Sequence, residues 1–371
     1  MIDGRVLTKT GTGIYTFFRD AIISWAKEHK DIMFYIFVPK QNEKSNDPVV
    51  FPSNVIILRP RLKIPHFLPN LIVLFLYMPF LIRRYKISYY YSPVPCIPFF
   101  LPKRIKTMIT VHDVVNIEYK DTMQWNNKLA NMFIFDRSVK NADKIWTNSK
   151  YTKSKVEQYF PNRRSKDIIV GDAANRDLFR KLDIEEGKRL SLLSKFGIKD
   201  RFLLFVGTME PRKNLQFLLS IIPEVYRQTG RQLVVVGAKG WKQSKSIYDL
   251  VSSEGFPRES VVFCGFVSNE ELVKLYNLAE CFISASLNEG FGMPQLEAAL
   301  CGCPVITANN SAMSEVMHNK KGTLLIDGYD KDCWIKKIVD FINNKQSIDI
   351  NEFEEYDWNQ IMNLVHDAFI D

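Results

Sequence analysis

The stretch Glu289-Gly290-Phe291-Gly292-Met293-Pro294-Gln295-Leu296-Glu297, which runs on as Ala298-Ala299-Leu300-Cys301-Gly302-Cys303-Pro304-Val305, decides how this chain is read. It leaves a predicted strand over Cys281–Ser286 and turns on a Gly-x-Gly. It then opens a predicted helix over Pro294–Leu300 that closes at Gly302 before a strand over Val305–Ala308. The glycines allow a ligand close approach to the backbone, and Pro294 suits a first helical turn because its missing N–H has no partner to lose there. Unpaired amides at such a helix start meet anionic or hydroxyl oxygens. Glu289 lies in the loop and Glu297 about a turn inside the helix, so the two carboxylates can address opposite ends of one extended ligand. A single carboxylate beside a helix start would read as a cap or a solvated side chain. The whole nine-residue pattern reads as a binding site.

The same strand, turn and helix rhythm extends in both directions, the pattern of parallel sheets covered by helices. Upstream, predicted strands at Phe202–Val206, Leu233–Val236 and Val261–Phe263 end at Gly207, Gly237 and Gly265. A helix over Asn269–Glu280 sets Leu272, Leu275 and Tyr276 on one face. In the first half, strands are predicted at Phe34–Val38, Val55–Leu58, Ser88–Tyr91, Thr107–Val111, Lys144–Thr147 and Ile168–Val170. A helix starts at Ile14 with Phe18, Ala21, Ile22, Trp25 and Ala26 on one face, and another covers Trp125–Asn141. Residues 172–200 are rich in charge without a clear strand, and the inter-domain connection is expected there. Ligands of such sheets bind at the carboxyl ends of the strands.

Three further segments carry chemistry. In Phe205-Val206-Gly207-Thr208-Met209-Glu210-Pro211-Arg212-Lys213-Asn214-Leu215, a glycine ends a strand and two adjacent cations sit where the next helix begins. An isolated Arg-Lys pair is ordinarily a solvated face. After this strand, guanidinium, ammonium and helix dipole converge on one spot that suits a diphosphate. Gly11-Thr12-Gly13-Ile14-Tyr15 precedes the first long helix, and His112-Asp113 follows a strand, where a histidine can donate to a ligand oxygen. Asp330-Lys331-Asp332 is a D-x-D in a polar loop beyond the last predicted strand. It is read as chance, and no bound metal is expected. The six cysteines are too sparse for a disulfide framework and read as reduced core thiols.

Residues 289–305, EGFGMPQLEAALCGCPV, resemble the signature of the retaining nucleotide-sugar glycosyltransferases of family 4, whose fold is GT-B. The resemblance implies two Rossmann-like domains facing each other across a cleft: 1–180 for the acceptor, 181–355 for the nucleotide-sugar, and a C-terminal helix in 356–371 crossing back to the first domain. It implies that Glu289 contacts the transferred sugar and Glu297 the ribose hydroxyls. Amides around Phe291, Gly292 and Met293, with Gly207 and Gly13, would bind the donor. Arg212 and Lys213 would stabilise the departing nucleotide, and His112 would sit close to the transferred sugar. The segment GTMEPRKN is similar to that of bacterial mannosyltransferases of surface polysaccharide assembly and favours GDP-mannose as co-substrate, with no further cofactor. The chain departs from the family in its first loop, which reads GTGIYT without a Gly-Arg pair. Its first strand is expected to be very short or trimmed.

Charge adds an acceptor class. Residues 1–170 hold 27 Lys and Arg against 13 Asp and Glu, whereas residues 171–371 hold 23 against 28. No zinc-finger spacing, aromatic RNA-binding strand or basic repeat accompanies the basic half, so nucleic acid is not expected. Phe67–Ile82 is the most apolar stretch. It is interrupted by Pro69, Asn70 and Pro79, too short to span a bilayer, and followed by Arg83-Arg84-Tyr85-Lys86. A buried or interfacial helix is expected. With no apolar signal core at the start, the expectation is a cytoplasmic enzyme, peripheral at the inner face of the membrane. Its acceptor would be a glycan, polyprenyl-diphosphate-linked, in surface polysaccharide or O-antigen synthesis. The rival readings are a GT-B sugar-nucleotide 2-epimerase, which would turn over donor alone, and a non-catalytic nucleotide-sugar-binding protein.

Overall fold

The computed structural model describes residues 1–8, 11–39, 49–59, 76–114, 128–238 and 244–370. The chain divides into two compact units, Met1–Ala173 with Tyr356–Asp371, and Ala174–Glu355.

Among the described residues, the first unit has a parallel sheet of seven strands. They are β1 (Ile2–Asp3), β2 (Phe34–Phe37), β3 (Val55–Leu58), β4 (Tyr89–Ser92), β5 (Lys106–Val111), β6 (Lys144–Thr147) and β7 (Ile168–Val170), in the spatial order β3-β2-β1-β4-β5-β6-β7. Central β5 is buried along its length except for Lys106, as a strand covered on both faces must be. Among the described residues, four helices lie between the strands: α1 (Gly13–Glu28), α2 (Met78–Arg84), α3 (Lys128–Asn141) and α4 (Lys150–Tyr159). Thr12 starts α1 by accepting the Tyr15 N–H at 3.3 Å, and the apolar face read from the sequence is buried.

In the second unit, the described strands are β8 (Phe202–Val206), β9 (Gln232–Val236), β10 (Val261–Gly265), β11 (Cys281–Ser284), β12 (Val305–Ala308) and β13 (Thr323–Ile326), all parallel and ordered β10-β9-β8-β11-β12-β13. Its helices are α5 (Glu186–Phe196), α6 (Leu215–Thr229), α7 (Ser244–Ser252), α8 (Asn269–Leu278), α9 (Met293–Leu300), α10 (Ser311–Met317) and α11 (Lys331–Asn343). The last helix, α12 (Trp358–Phe369), belongs to the first unit. Its buried face meets α1, with Phe17 and Trp358 ring centroids 5.4 Å apart and the Ser24 hydroxyl donating to Asn359 at 2.8 Å.

Several expectations need correction. The units change at Ala173/Ala174 rather than 180/181, because Phe179 packs on Tyr276 and the Leu182 N–H donates to Asn277. The change of unit falls inside residues 172–200, where the connection was expected, and that stretch also carries α5, closed by Gly197 at φ 69°. β1 is two residues long, in keeping with the very short first strand expected, and it pairs with both β2 and β4 inside the sheet. β13, a four-residue run behind a charged turn, went unread. Asp330-Lys331-Asp332 is not loop but the start of α11, where Asp330 accepts the Cys333 N–H at 2.8 Å as the cap. Of the apolar stretch 67–82, residues 67–75 lie outside the described residues, as do 125–127 of the helix expected over Trp125–Asn141. Among the described residues, no helix is long and apolar enough to cross a membrane.

Candidate functional site

In the second sheet the strand order doubles back at β8, which has β9 on one side and β11 on the other. Loops leaving β8 and β11 therefore diverge to opposite sides and leave a crevice at the carboxyl edge. From β8 the chain runs through Gly207–Glu210 into a single 3-10 turn, Pro211–Lys213. Asn214 takes a left-handed φ of 51°, which lets the turn swing directly into α6; Asn is one of the few residues with a side chain that visits this region readily. At the neighbouring strand end, a Cβ on Gly237 would fall 2.0 Å from the Gly207 carbonyl oxygen, so only glycine lets these two loops lie together.

The two loops bring three predicted residues into contact. Arg212 Nη1 donates to Glu289 Oε2 at 2.6 Å and to the Asn288 carbonyl at 2.8 Å, while Lys213 Nζ donates to Glu289 Oε1 at 2.6 Å. The Leu287 N–H donates to the Arg212 carbonyl at 2.8 Å, and the Glu289 N–H donates to Ser311 Oγ at 3.1 Å. Glu289 is only 8% exposed. Burial pushes its carboxyl up, but the Lys213 and Arg212 charges, with a hydrogen bond from Ser286, outweigh that and hold it at about 2. The carboxylate is therefore ionised at any ordinary pH, and the three side chains together carry one net positive charge.

Beside them, Lys213, Glu289, Gly292, Pro294 and Gln295, with Ser284 and Ser286, line a small pocket. Gly292, at φ 93°, is the cap residue of α9, and no side chain caps that helix. Gln295 is 1% exposed, and its Oε1 is a buried acceptor without a partner among the described residues. Such an orphan is costly unless something donates to it. Phe291 is buried at the same turn, and Met293 begins the helix.

Glu297 lies one turn along α9, against α8, and its Oε2 accepts the Tyr276 hydroxyl at 2.9 Å. Burial, then the Glu297 charge, raises the Tyr276 phenol far above its ordinary range, so it remains a donor. The remaining two predicted residues belong to the first unit. Gly13 opens α1 exposed to solvent, and nothing lies within 4 Å of where its Cβ would be. His112 Nε2 is 2.9 Å from the Pro93 carbonyl oxygen and its ring meets Phe17 edge-on at 4.7 Å. A carbonyl only accepts, so Nε2 carries the proton. Burial pushes the imidazole pKa down, which leaves the neutral ring an acceptor at Nδ1. The donor role expected of His112 would thus need a doubly protonated ring that its surroundings disfavour.

Sequence reasoning missed Ser286, Asn288, Gln295 and Ser311, and it read Tyr276 only as part of an apolar face. The available signal for Gln295 was a polar residue facing inward on a helix buried from Gln295 to Leu300. Ser311 and Asn288 act through backbone-level contacts that no spacing announces.

Comparison with known proteins bears on the domain and the fold. Residues 193–356 form a domain matching the family described as Glycosyl transferases group 1. The chain is 29% identical over 223 residues to the serotype-specific mannosyltransferase WbdA of Escherichia coli, covering 57% of this chain and 26% of that protein. It is 30% identical over 248 residues to the O-antigen chain mannosyltransferase B of Escherichia coli, covering 64% of this chain and 61% of the relative. It therefore spans less than two thirds of either relative's length. Among solved structures, sucrose-phosphate synthase from Thermosynechococcus elongatus superposes with a TM-score of 0.71 at 14% identity, over 99% of this chain and 94% of the other. Anabaena Alr3699/HepE, solved in complex with UDP and glucose, gives 0.67 at 14% identity over the same shares. The two parallel-sheet α/β units are of the GT-B class, as the sequence resemblance implied.

Proposed function

We propose that this chain, through its group 1 domain, transfers a hexosyl group from a nucleotide-sugar donor to a glycan acceptor, retaining anomeric configuration and needing no metal ion. The observation that carries the reading is the convergence of Arg212 and Lys213 on Glu289 at the switch point of the second sheet. When the bond from the anomeric carbon to the diphosphate oxygen breaks, negative charge grows on the leaving diphosphate. Two cations held at the site by Glu289 meet that charge as the carboxylate shares them with the diphosphate. The uncapped start of α9 adds amide dipoles of the same sign.

Glu289 takes neither of the roles a carboxylate usually plays in glycosyl chemistry. A carboxyl group held at about 2 has no proton to give as a general acid. Both its oxygens accept from cations at 2.6 Å, which blunts it as a nucleophile. Retention then follows from attack on the face the diphosphate leaves, with a leaving phosphate oxygen taking the acceptor's hydroxyl proton. In this reading, Glu289 orients sugar hydroxyls and Arg212 and Lys213 act on the diphosphate. Glu297, held by Tyr276, takes the ribose, and Gln295 Oε1 accepts from the donor or a water beside it. The relatives' names favour mannose, hence GDP-mannose, and a lipid-linked acceptor in O-antigen or surface polysaccharide synthesis.

The test is a thermal-shift screen of nucleotides and nucleotide-sugars, in which a ligand at 100 times its dissociation constant stabilises by about 2.7 kcal/mol. The best sugar donor is then incubated with candidate acceptors and the product anomer assigned by NMR. A guanosine diphosphate response and retained configuration support the reading. No response to any nucleotide, or inversion, refutes it.

A further inference from the structure

Residues 48–112 contain nine Lys and Arg and no Asp or Glu, a charge as large as the +9 of the whole chain. Within this stretch α2 is amphipathic in an unusual sense. Met78, Leu81 and Ile82 are buried, while Leu76 just before the helix is 67% exposed and Phe80 is 53% exposed. Arg83 and Arg84 are exposed as well. Positions 76, 80, 83 and 84 follow the i, i+4, i+7, i+8 spacing of one helix face, so two large apolar side chains and two guanidinium groups share a stripe turned to solvent. Among the described residues, no carboxylate pairs with either arginine. The loop entering β5 borders the same ground: Leu101 and Ile105 pack into the cluster of Met78, Leu81 and Ile82, and Phe100, Lys103 and Arg104 are exposed beside them.

Cations alone would suit any polyanion. A nucleic acid backbone, however, gives the aliphatic Leu76 nothing to bury against, and Phe80 lies on a helix rather than on an open stacking platform. Apolar side chains flanked by arginines fit a lipid surface, where the apolar groups enter the headgroup and acyl boundary and the guanidinium groups stay at phosphate level. We propose that α2 and the adjoining loop dock this chain on an anionic lipid bilayer. The proposal goes beyond the donor-site reading, and it fails or stands independently of it.

The test is co-sedimentation of the full chain with vesicles of phosphatidylcholine containing about 30 mol% phosphatidylglycerol, against phosphatidylcholine alone. Binding is expected with the anionic vesicles at about 0.05 M salt and is expected to weaken steeply by about 0.3 M. Each cation at an anionic surface deepens partitioning roughly fivefold, so Arg83→Gln with Arg84→Gln should lose about 25-fold. Phe80→Ser should lose about tenfold, at low and high salt alike, because its contribution is apolar. Leu76→Ser serves as the second apolar variant should Phe80→Ser fold poorly. The guanosine diphosphate thermal shift, measured on the same variants, should be unchanged and separates a lost surface from a lost donor site. A chain that stays in the supernatant with anionic vesicles at low salt overturns the proposal. So does undiminished binding by a folded apolar variant, which would reduce the patch to a general polyanion site such as a nucleic acid would occupy.

Discussion

Replacing Glu289 by Gln separates two things that one carboxylate does. Its pKa is held at about 2 instead of the ordinary 4.5, and at about 1.36 kcal/mol per unit this corresponds to about 3 kcal/mol of preference for the charged form in the folded state. The amide keeps hydrogen-bonding capacity but not the charge, so this is the upper bound on lost stability. For a unit of this size it amounts to a fall in Tm of roughly 6–12 °C at neutral pH. Because the folded pKa is depressed, the stabilisation is fully present above the unfolded value near 4.5 and disappears as pH falls toward 2. The gap between wild type and variant should therefore be full at pH 7 and close progressively below about pH 4.5.

Binding should move the other way. The carboxylate and a donor diphosphate compete for the same two cations, so removing the carboxylate leaves Arg212 with the Glu210 carboxylate at 3.9 Å and the Asn288 carbonyl, and makes both cations more available to an anion. If half of the coupling is returned, on the order of 1 kcal/mol, guanosine diphosphate binds roughly five- to tenfold more tightly to the variant. Sugar transfer should nonetheless fall, because the group that orients the sugar is gone. Calorimetry with guanosine diphosphate and transfer kinetics on the same protein read both effects. A variant that is as stable as wild type at pH 7 and binds the nucleotide more weakly would refute the idea that the cations are shared.

Three further outcomes are expected. Lys213→Ala should lower kcat more than it raises the donor KM, since charge on the diphosphate is greatest in the transition state; intact turnover with weaker binding would make the lysine a ground-state anchor. Glu297→Ala should weaken donor binding about 10- to 100-fold, from the roughly 1.5–3 kcal/mol of a hydrogen bond to a charged group, and Tyr276→Phe should weaken it less; unchanged affinity in both removes the ribose assignment. Chelation with EDTA should leave transfer intact, whereas loss restored by manganese or magnesium would mean that a cation shares the work given to Arg212 and Lys213.

What could be read from the sequence and what could not follow from the range over which each signal acts. Strands β8, β9 and β11 were legible because they are apolar on both faces, and β8 and β9 end in glycines that packing demands, as the 2.0 Å clash at Gly237 makes plain. Arg212, Lys213 and Glu289 were legible as candidates because each sits in a loop directly after a strand. Their meeting depends on β8 and β11 being neighbours, which is a property of strand order rather than of either segment. Tyr276 shows where local reading stops. Position by position it fits the buried face of α8, and only the arrival of Glu297 from another helix turns its hydroxyl into a buried partner for a charge. His112 shows the converse: the residue was found, but which proton it holds is decided by the Pro93 carbonyl from a different strand's loop. A side chain's chemistry at such a site is thus fixed by groups remote in sequence. Pair variants across those contacts, Tyr276 with Glu297 and Lys213 with Glu289, are for that reason more informative than any single substitution, because only the departure from additivity isolates the contact itself.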